Sequence, residues 1–161
     1  MNDRIGLRDG TRADLERVNA IVEAAARSWG LAERVLRLAL PSYRYADADL
    51  DHMTLRLAER DGALVALSAL EEADPRDTPA NAPALLLHGI YVDPDAHGRG
   101  IGTLLVNDAL DAVRAAGRAG LLVKAQQQAN GFFEALEFEA VPVTDPLRDY
   151  PHRWWRPITL P

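Results

Sequence analysis

His97-Gly98-Arg99-Gly100-Ile101-Gly102 is the stretch that decides how this chain is read. An apolar run from Leu85 to Val92 reads as a strand and enters the turn Asp93-Pro94-Asp95, and the glycine-rich segment then opens directly into a helical pattern. A strand, a glycine turn and a helix N-terminus together present backbone N–H groups to an anion. The first helical turn has no internal acceptors for its amides, and the helix dipole favours negative charge there. Glycine lets the backbone approach a ligand with no Cβ between them. Arg99 and the Thr103 hydroxyl add a charge and a donor to the same place.

The turn is not a P-loop, because the chain contains no G-x-x-x-x-G-K-[ST]. It is also a poor dinucleotide fingerprint: Gly98 and Gly100 give G-x-G, but Thr103 stands where the third glycine belongs. The wider run, Ile90-Tyr91-Val92-Asp93-Pro94-Asp95-Ala96-His97-Gly98-Arg99-Gly100-Ile101-Gly102-Thr103-Leu104-Leu105, resembles the acetyl-CoA loop of the GNAT superfamily of N-acetyltransferases. A second block, Ala129-Asn130-Gly131-Phe132-Phe133-Glu134-Ala135-Leu136-Glu137-Phe138, is similar to that family's A-x-x-F-Y-E-x-L-G-F. Two blocks in order are far more specific than either alone.

Composition bounds the reading. The 161 residues suit a single domain with a sizeable core. The formal charge of −6 argues weakly against nucleic acid and fits a cationic amine, although it serves solubility equally well. With no cysteine, disulfides, thiolate metal sites and a Cys nucleophile are excluded. The beginning Met1-Asn2-Asp3-Arg4 lacks a signal-peptide core, and no apolar run approaches the about 18–20 residues of a membrane span. A soluble, cytoplasmic protein without a membrane partner is expected.

Hydrophobic periodicity orders the chain. Strands are expected at Ile5 to Arg8, Met53 to Glu59, Ala63 to Leu70, Leu85 to Val92, Leu121 to Lys124, Phe138 to Val143 and Trp154 to Ile158. Helices are expected from Arg12 to Ser28 behind a Thr11 cap, from Ala32 towards Leu40 with a stop before Pro41, from Gly100 to Ala116, and from Gln127 to Leu136. Asp61-Gly62 signals a hairpin. The order matches the α/β (α+β) GNAT fold, so the resemblance implies a mixed, mostly antiparallel sheet of about seven strands with four helices and splayed strands 4 and 5.

The same resemblance implies which residues do what. The pyrophosphate of acetyl-CoA, used as co-substrate without a metal, would lie on the amides of His97, Gly98, Arg99, Gly100, Ile101, Gly102 and Thr103. The pantetheine arm would pair with the backbone of Ile90, Tyr91 and Val92. His97 departs from the Gln or Arg usual at the head of the motif. Gln126 stands where many relatives place a CoA-contacting Asn, Asn130 lies one turn on, and Phe133 holds the CoA-side position where relatives often have a Tyr that protonates the leaving thiolate. The carboxylate base that several relatives carry is replaced by Leu86. Two residues on, His88 shares that strand face and matches a histidine used as a water-mediated base in serotonin N-acetyltransferase relatives. A hydrogen-bonded core histidine is the competing reading.

Trp29, Tyr43, Tyr45, Glu71, Glu72, Trp154 and Trp155 are candidates for the acceptor site, and packing explains each of them as well. The implied partner is a small-molecule or peptide amine. A homodimer is open, since relatives often dimerise. A non-catalytic acyl-CoA sensor of the same fold is the alternative function, and a nucleotide-binding regulatory domain is a third.

Overall fold

The computed structural model describes residues 4–159. Seven strands form one sheet in the order β1-β2-β3-β4-β5-β7-β6: β1 (Ile5–Asp9), β2 (Thr54–Arg60), β3 (Ala63–Glu72), β4 (Ala84–Val92), β5 (Gly120–Lys124), β6 (Glu139–Ala140) and β7 (Arg153–Pro157). The four helices are α1 (Leu15–Arg27), α2 (Glu33–Tyr43), α3 (Ile101–Ala115) and α4 (Asn130–Ala135). β4 and β5 run parallel, while β1–β2, β5–β7 and β6–β7 are antiparallel. The parallel register starts at Ala84↔Gly120 and stops at Leu87↔Val123, although β4 runs on to Val92. The expected parting of strands 4 and 5 is therefore present.

Two compact units divide the chain: residues up to Ala69 with Ile90–Leu105, and Leu70–Gly89 with the residues from Val106 on. In the first, Val18, Ile21, Val22 and Ala25 of α1 recur at helical spacing and bury against Leu55 and Leu57 of β2, Leu64, Leu67 and Ala69 of β3, and Tyr91. A second cluster joins Ala58, Val65, Ala66, Ala96, Ile101 and Leu105, with Ile90 and Val92 packed on it. Each fully buried Leu or Ile is worth about 1.5–3 kcal/mol, so these clusters fix where the first turn of α3 begins. Asp61 and Gly62 both take positive φ, 54° and 79°, as the hairpin turn requires.

Several expectations are corrected. Pro41 does not stop α2; it sits inside the helix, which continues to Tyr43. Leu36, Leu40 and Tyr43 pack on Ala26 and Trp29, and this burial outweighs the single ladder bond a proline near a helix end forfeits. Ahead of α1, the segment Arg12–Asp14 is a 3-10 turn, and the Asp14 carboxylate reaches back to accept from the Thr11 N–H at 2.8 Å while Arg8 grips it from the other side. Strand β6 is two residues long rather than six: the pairing continues only as far as the Val141 N–H, which donates to Arg153 C=O, and Pro142 has no N–H to extend it. The helix expected from Gln127 opens as the 3-10 turn Gln127–Ala129 before α4.

In the second unit, Ala73, Ala84, Leu86, Leu122 and Trp155 form one cluster. The segment between β3 and β4 is fastened over it. Asp74 caps the turn Pro75–Asp77, and the Asp77 carboxylate meets Lys124 at 3.2 Å and Arg148 at 3.4 Å. Arg153, buried, donates to the carbonyls of Asp77 and Pro142 and pairs with Asp149 at 3.2 Å. Asp149 also accepts from the backbone N–H groups of Asp145 and Thr144 and from the Thr144 hydroxyl. Those donors hold its carboxyl down at about 2, below the ordinary 3.8.

Two outcomes follow for stability. A Cβ at Gly120 would meet the Trp155 ring at 2.6 Å and the Arg156 carbonyl at 2.7 Å, so Gly120→Ala should destabilise by about 1–3 kcal/mol, read as a lower urea midpoint. Because the Asp149 carboxyl is lowered on folding, its stabilisation is complete above its ordinary value of 3.8 and is lost as pH falls towards 2. Melting temperatures followed through that interval should fall less steeply for Asp149→Asn, which should also melt lower than the unaltered chain at neutral pH.

Candidate active site

Strand β4 runs from the second unit, up to Gly89, into the first, from Ile90. In the first unit, the exit of β4 is fixed at Asp93. Its N–H donates to Val65 C=O at 2.8 Å, and its carboxylate accepts from the Asp95 N–H at 3.1 Å and from Arg17 at 3.1 Å. This caps the 3-10 turn Pro94–Ala96, after which Gly98 and Gly100 adopt φ of 79° and 75°, a region that costs an L side chain energy. The first ladder bond of α3 runs from the Leu104 N–H to Gly100 C=O. Among the described residues nothing accepts from the N–H groups of Gly98, Gly100, Ile101, Gly102 or Thr103. His97 to Gly100 are exposed, and a Cβ at Gly98 or Gly100 would meet nothing within 4 Å. Amides without acceptors at a helix start, with open space at Gly98 and Gly100, can receive an anion such as a diphosphate. The His97 N–H is used within the turn, donating to Pro94 C=O at 3.3 Å.

Ile90 and Val92 pack on the cluster that seats Ile101 and Leu105, whereas Tyr91 points into the α1 cluster. Tyr91 stacks on Trp29 at 6.2 Å and meets Tyr45 edge-on at 6.4 Å, and Trp29 meets Tyr43 edge-on at 5.6 Å. Three of the aromatic acceptor candidates are thereby brought together around a tyrosine that the sequence alone did not assign to them. Asn19 fixes the position of Tyr45 by bonding both its N–H and its C=O. Burial, reinforced by the nearby Tyr43, pushes the Tyr91 hydroxyl up to about 12. It stays a neutral phenol at any working pH and cannot serve as a base.

In the second unit, His88 is exposed on β4 and is the first residue beyond the last β4–β5 pair. Leu86 is buried against Leu122 and Trp155. Beyond Val123, β5 stays paired with β7 through Lys124↔Arg153. Both polar backbone groups of Ala125 are then taken, the N–H by His152 C=O at 2.9 Å and the C=O by the Tyr150 hydroxyl at 2.8 Å. Gln126 caps the 3-10 turn that leads to α4. The Asn130 side chain bonds Trp154 and His152. Phe133 is 1% exposed and packs edge-on to Phe132 and Phe138, so it is a core residue of α4. Glu72 is paired with Arg118, and Trp155 belongs to the core over Gly120. Tyr150, His152 and Trp154 were not placed together by the sequence, because only the fold of the last hairpin returns them to the end of β5.

Among the described residues, no group of three or more His, Cys, Asp or Glu is placed to hold a metal ion, and no helix is long and apolar enough to cross a membrane.

Known proteins agree with this architecture. The PaiA N-acetyltransferase from Thermoplasma acidophilum, solved in complex with coenzyme A, superposes with a TM-score of 0.75 at 15% identity, over 96% of this chain and 99% of that one. A GCN5-related N-acetyltransferase from Ralstonia eutropha gives 0.71 at 23% identity, over 88% and 95%. The ribosomal-protein-S18-alanine N-acetyltransferase from Escherichia coli gives 0.65 at 17% identity, over 98% and 96%. No curated protein matches the sequence. The model of the acetyltransferase (GNAT) family matches residues 18–138, from α1 through both glycine turn and α4, and the chain belongs to that family.

Proposed function

We propose that this acetyltransferase moves the acetyl group of acetyl-CoA to a primary amine of a small molecule or peptide by direct attack. The observation that carries the reading is that, among the described residues, the amides of Gly98, Gly100, Ile101, Gly102 and Thr103 have no acceptor, with open space at Gly98 and Gly100. In this reading Gly98, Arg99, Gly100, Ile101, Gly102 and Thr103, with His97 at the edge, hold the pyrophosphate. The backbone of β4 from Ile90 to Val92 pairs with the pantetheine arm, which adds to the sheet as an extra strand would. Backbone N–H groups there polarise the thioester carbonyl. The family resemblance also assigns Gln126, Asn130 and Phe133 to the cofactor; Asn130 bonds Trp154 and His152, and Phe133 is buried.

An alkylamine has a pKa of about 10 and is mostly protonated at pH 7, so it must lose a proton before it attacks. His88 is proposed as the acceptor of that proton. It is exposed, on the strand that would hold the thioester, and a neutral imidazole accepts at neutral pH. The nitrogen–carbon bond forms, the carbon–sulfur bond breaks, and the electron pair stays on sulfur. No covalent enzyme intermediate is needed, consistent with a chain that has no cysteine.

A second reading has its own observation. Leu86 and Phe133, both buried hydrocarbons, occupy the places of an acid–base pair, which suits an acyl-CoA sensor. A panel of amines read by thiol release separates the two: turnover that falls by about 10²–10⁴-fold in His88→Ala supports the enzyme. No turnover with any amine, at intact CoA affinity, supports the sensor.

Calorimetric titration with acetyl-CoA tests the cofactor. Binding at low-millimolar strength or tighter is expected, and its absence would end the proposal. Gly100→Asp should lose binding while Gly100→Asn retains most of it. Both side chains tolerate positive φ, but only the first sets a negative charge against the diphosphate.

A further inference from the structure

The second unit holds a cavity of about 350 Å³. The segment between β3 and β4, strand β6 with the chain that follows it, and β7 all contribute to its lining. Val141, Pro142 and Trp155 supply apolar surface, and Arg148, Arg153 and Glu139 supply charge.

The ion pairs at this cavity do not balance. Lys124, Arg148 and Arg153 carry three positive charges, while Asp77 and Asp149, to which they are paired, carry two negative ones. One positive charge is left over. Arg153 is 4% exposed, and a charge held out of water is costly unless an anion compensates it. Donors are in excess as well. Among the described residues nothing accepts from the buried Arg153 Nε. A guanidinium has five N–H groups, and the described acceptors for Arg148 are Asp149 at 3.1 Å and Asp77 at 3.4 Å. The acceptors are already engaged. Asp149 takes bonds from Thr144, Asp145, Arg148 and Arg153. Arg76, which also lines the cavity, is neutralised by Asp74 at 2.7 Å. Glu139, exposed on β6, pairs with no described residue and is the lining carboxylate that opposes an anion.

We propose that this cavity is a binding site for a small monocarboxylate, with Arg148 and Arg153 as its cationic side and Val141, Pro142 and Trp155 against its hydrocarbon. One negative charge matches the one left over. The flat pair of carboxylate oxygens also matches the guanidinium fork. A phosphate dianion would exceed that charge and meet Glu139 and Asp149 as well. An ammonium would face three arginines and a single uncommitted carboxylate. The volume lies at the small end of the roughly 300–1,000 Å³ usual for ligand sites, so the hydrocarbon is short. Every lining residue belongs to the second unit and none to the glycine turn, so the site does not rest on the acetyl-CoA reading.

Calorimetric titration of the intact chain at low ionic strength tests it, with butyrate as the probe. Butyrate should bind with a Kd of about a millimolar or below, and butylamine, butanol and inorganic phosphate about tenfold more weakly or not at all. Arg148→Gln should weaken butyrate about tenfold, since a charge-assisted bond is lost, and Arg148→Lys should recover part of that loss. Glu139→Gln should act in the opposite sense and tighten butyrate about twofold, because an exposed like charge is removed. A fold merely loosened by substitution would not produce that gain. Three results would overturn the proposal: no butyrate binding at about 10 mM, butylamine or phosphate binding as well as butyrate, or an affinity unmoved by both Arg148→Gln and Glu139→Gln. Titration with acetyl-CoA is a separate measurement, so the failure of either reading leaves the other standing.

Discussion

The anchorage of Asp93 is the constraint on which the glycine turn depends. One main-chain bond to Val65 ends β4 at a fixed place on β3, and the carboxylate, shared between the Asp95 N–H and Arg17, sets the direction in which the chain leaves. Ala96, almost fully buried, and then Ile101 and Leu105 drop into the cluster below. The exposed glycines between them are held at both ends by apolar contacts and need no contacts of their own. Their amides can therefore stay unsatisfied: the free energy of leaving them open is offset by packing on either side of the turn.

The other end of β4 shows the complementary arrangement. Pairing with β5 stops at Leu87, and the residues that would continue it on the β5 side are claimed by the last hairpin. With both polar groups of Ala125 occupied, β5 does not carry its pairing with β4 beyond Val123. The end of β5 is thus tied to the last hairpin, the Ala125 N–H donating to His152 C=O and the Tyr150 hydroxyl donating to Ala125 C=O.

Much of this was legible in the sequence and some of it was not, for identifiable reasons. Helix α1 and the β2–β3 hairpin are local: Val18, Ile21 and Val22 at helical spacing, and Asp61-Gly62 with its positive φ, carry their own instructions. The glycine turn was legible because its pattern is dense and its flanks are apolar. Pro41 misled because the rule against proline in helices is a local energy, while the burial of Leu40 and Tyr43 is a tertiary one. β6 was read as too long because alternation cannot show that Pro142 ends the donors. Asn130 could be named as a site residue, but not that its amide is spent on Trp154 and His152, since those partners are more than twenty positions away.

The segment between β3 and β4, with three prolines, has the composition of a spacer. Yet Asp77 is tied through its carboxylate to Lys124 and Arg148 and through its carbonyl to Arg153. A spacer clasped at three points cannot drift in length as exposed connections usually do. Any residue gained or lost there would have to be absorbed on the Ala80–Asn81 side, where the backbone already turns through left-handed angles, or else the clasp would open and the C-terminal hairpin would lose its lateral support.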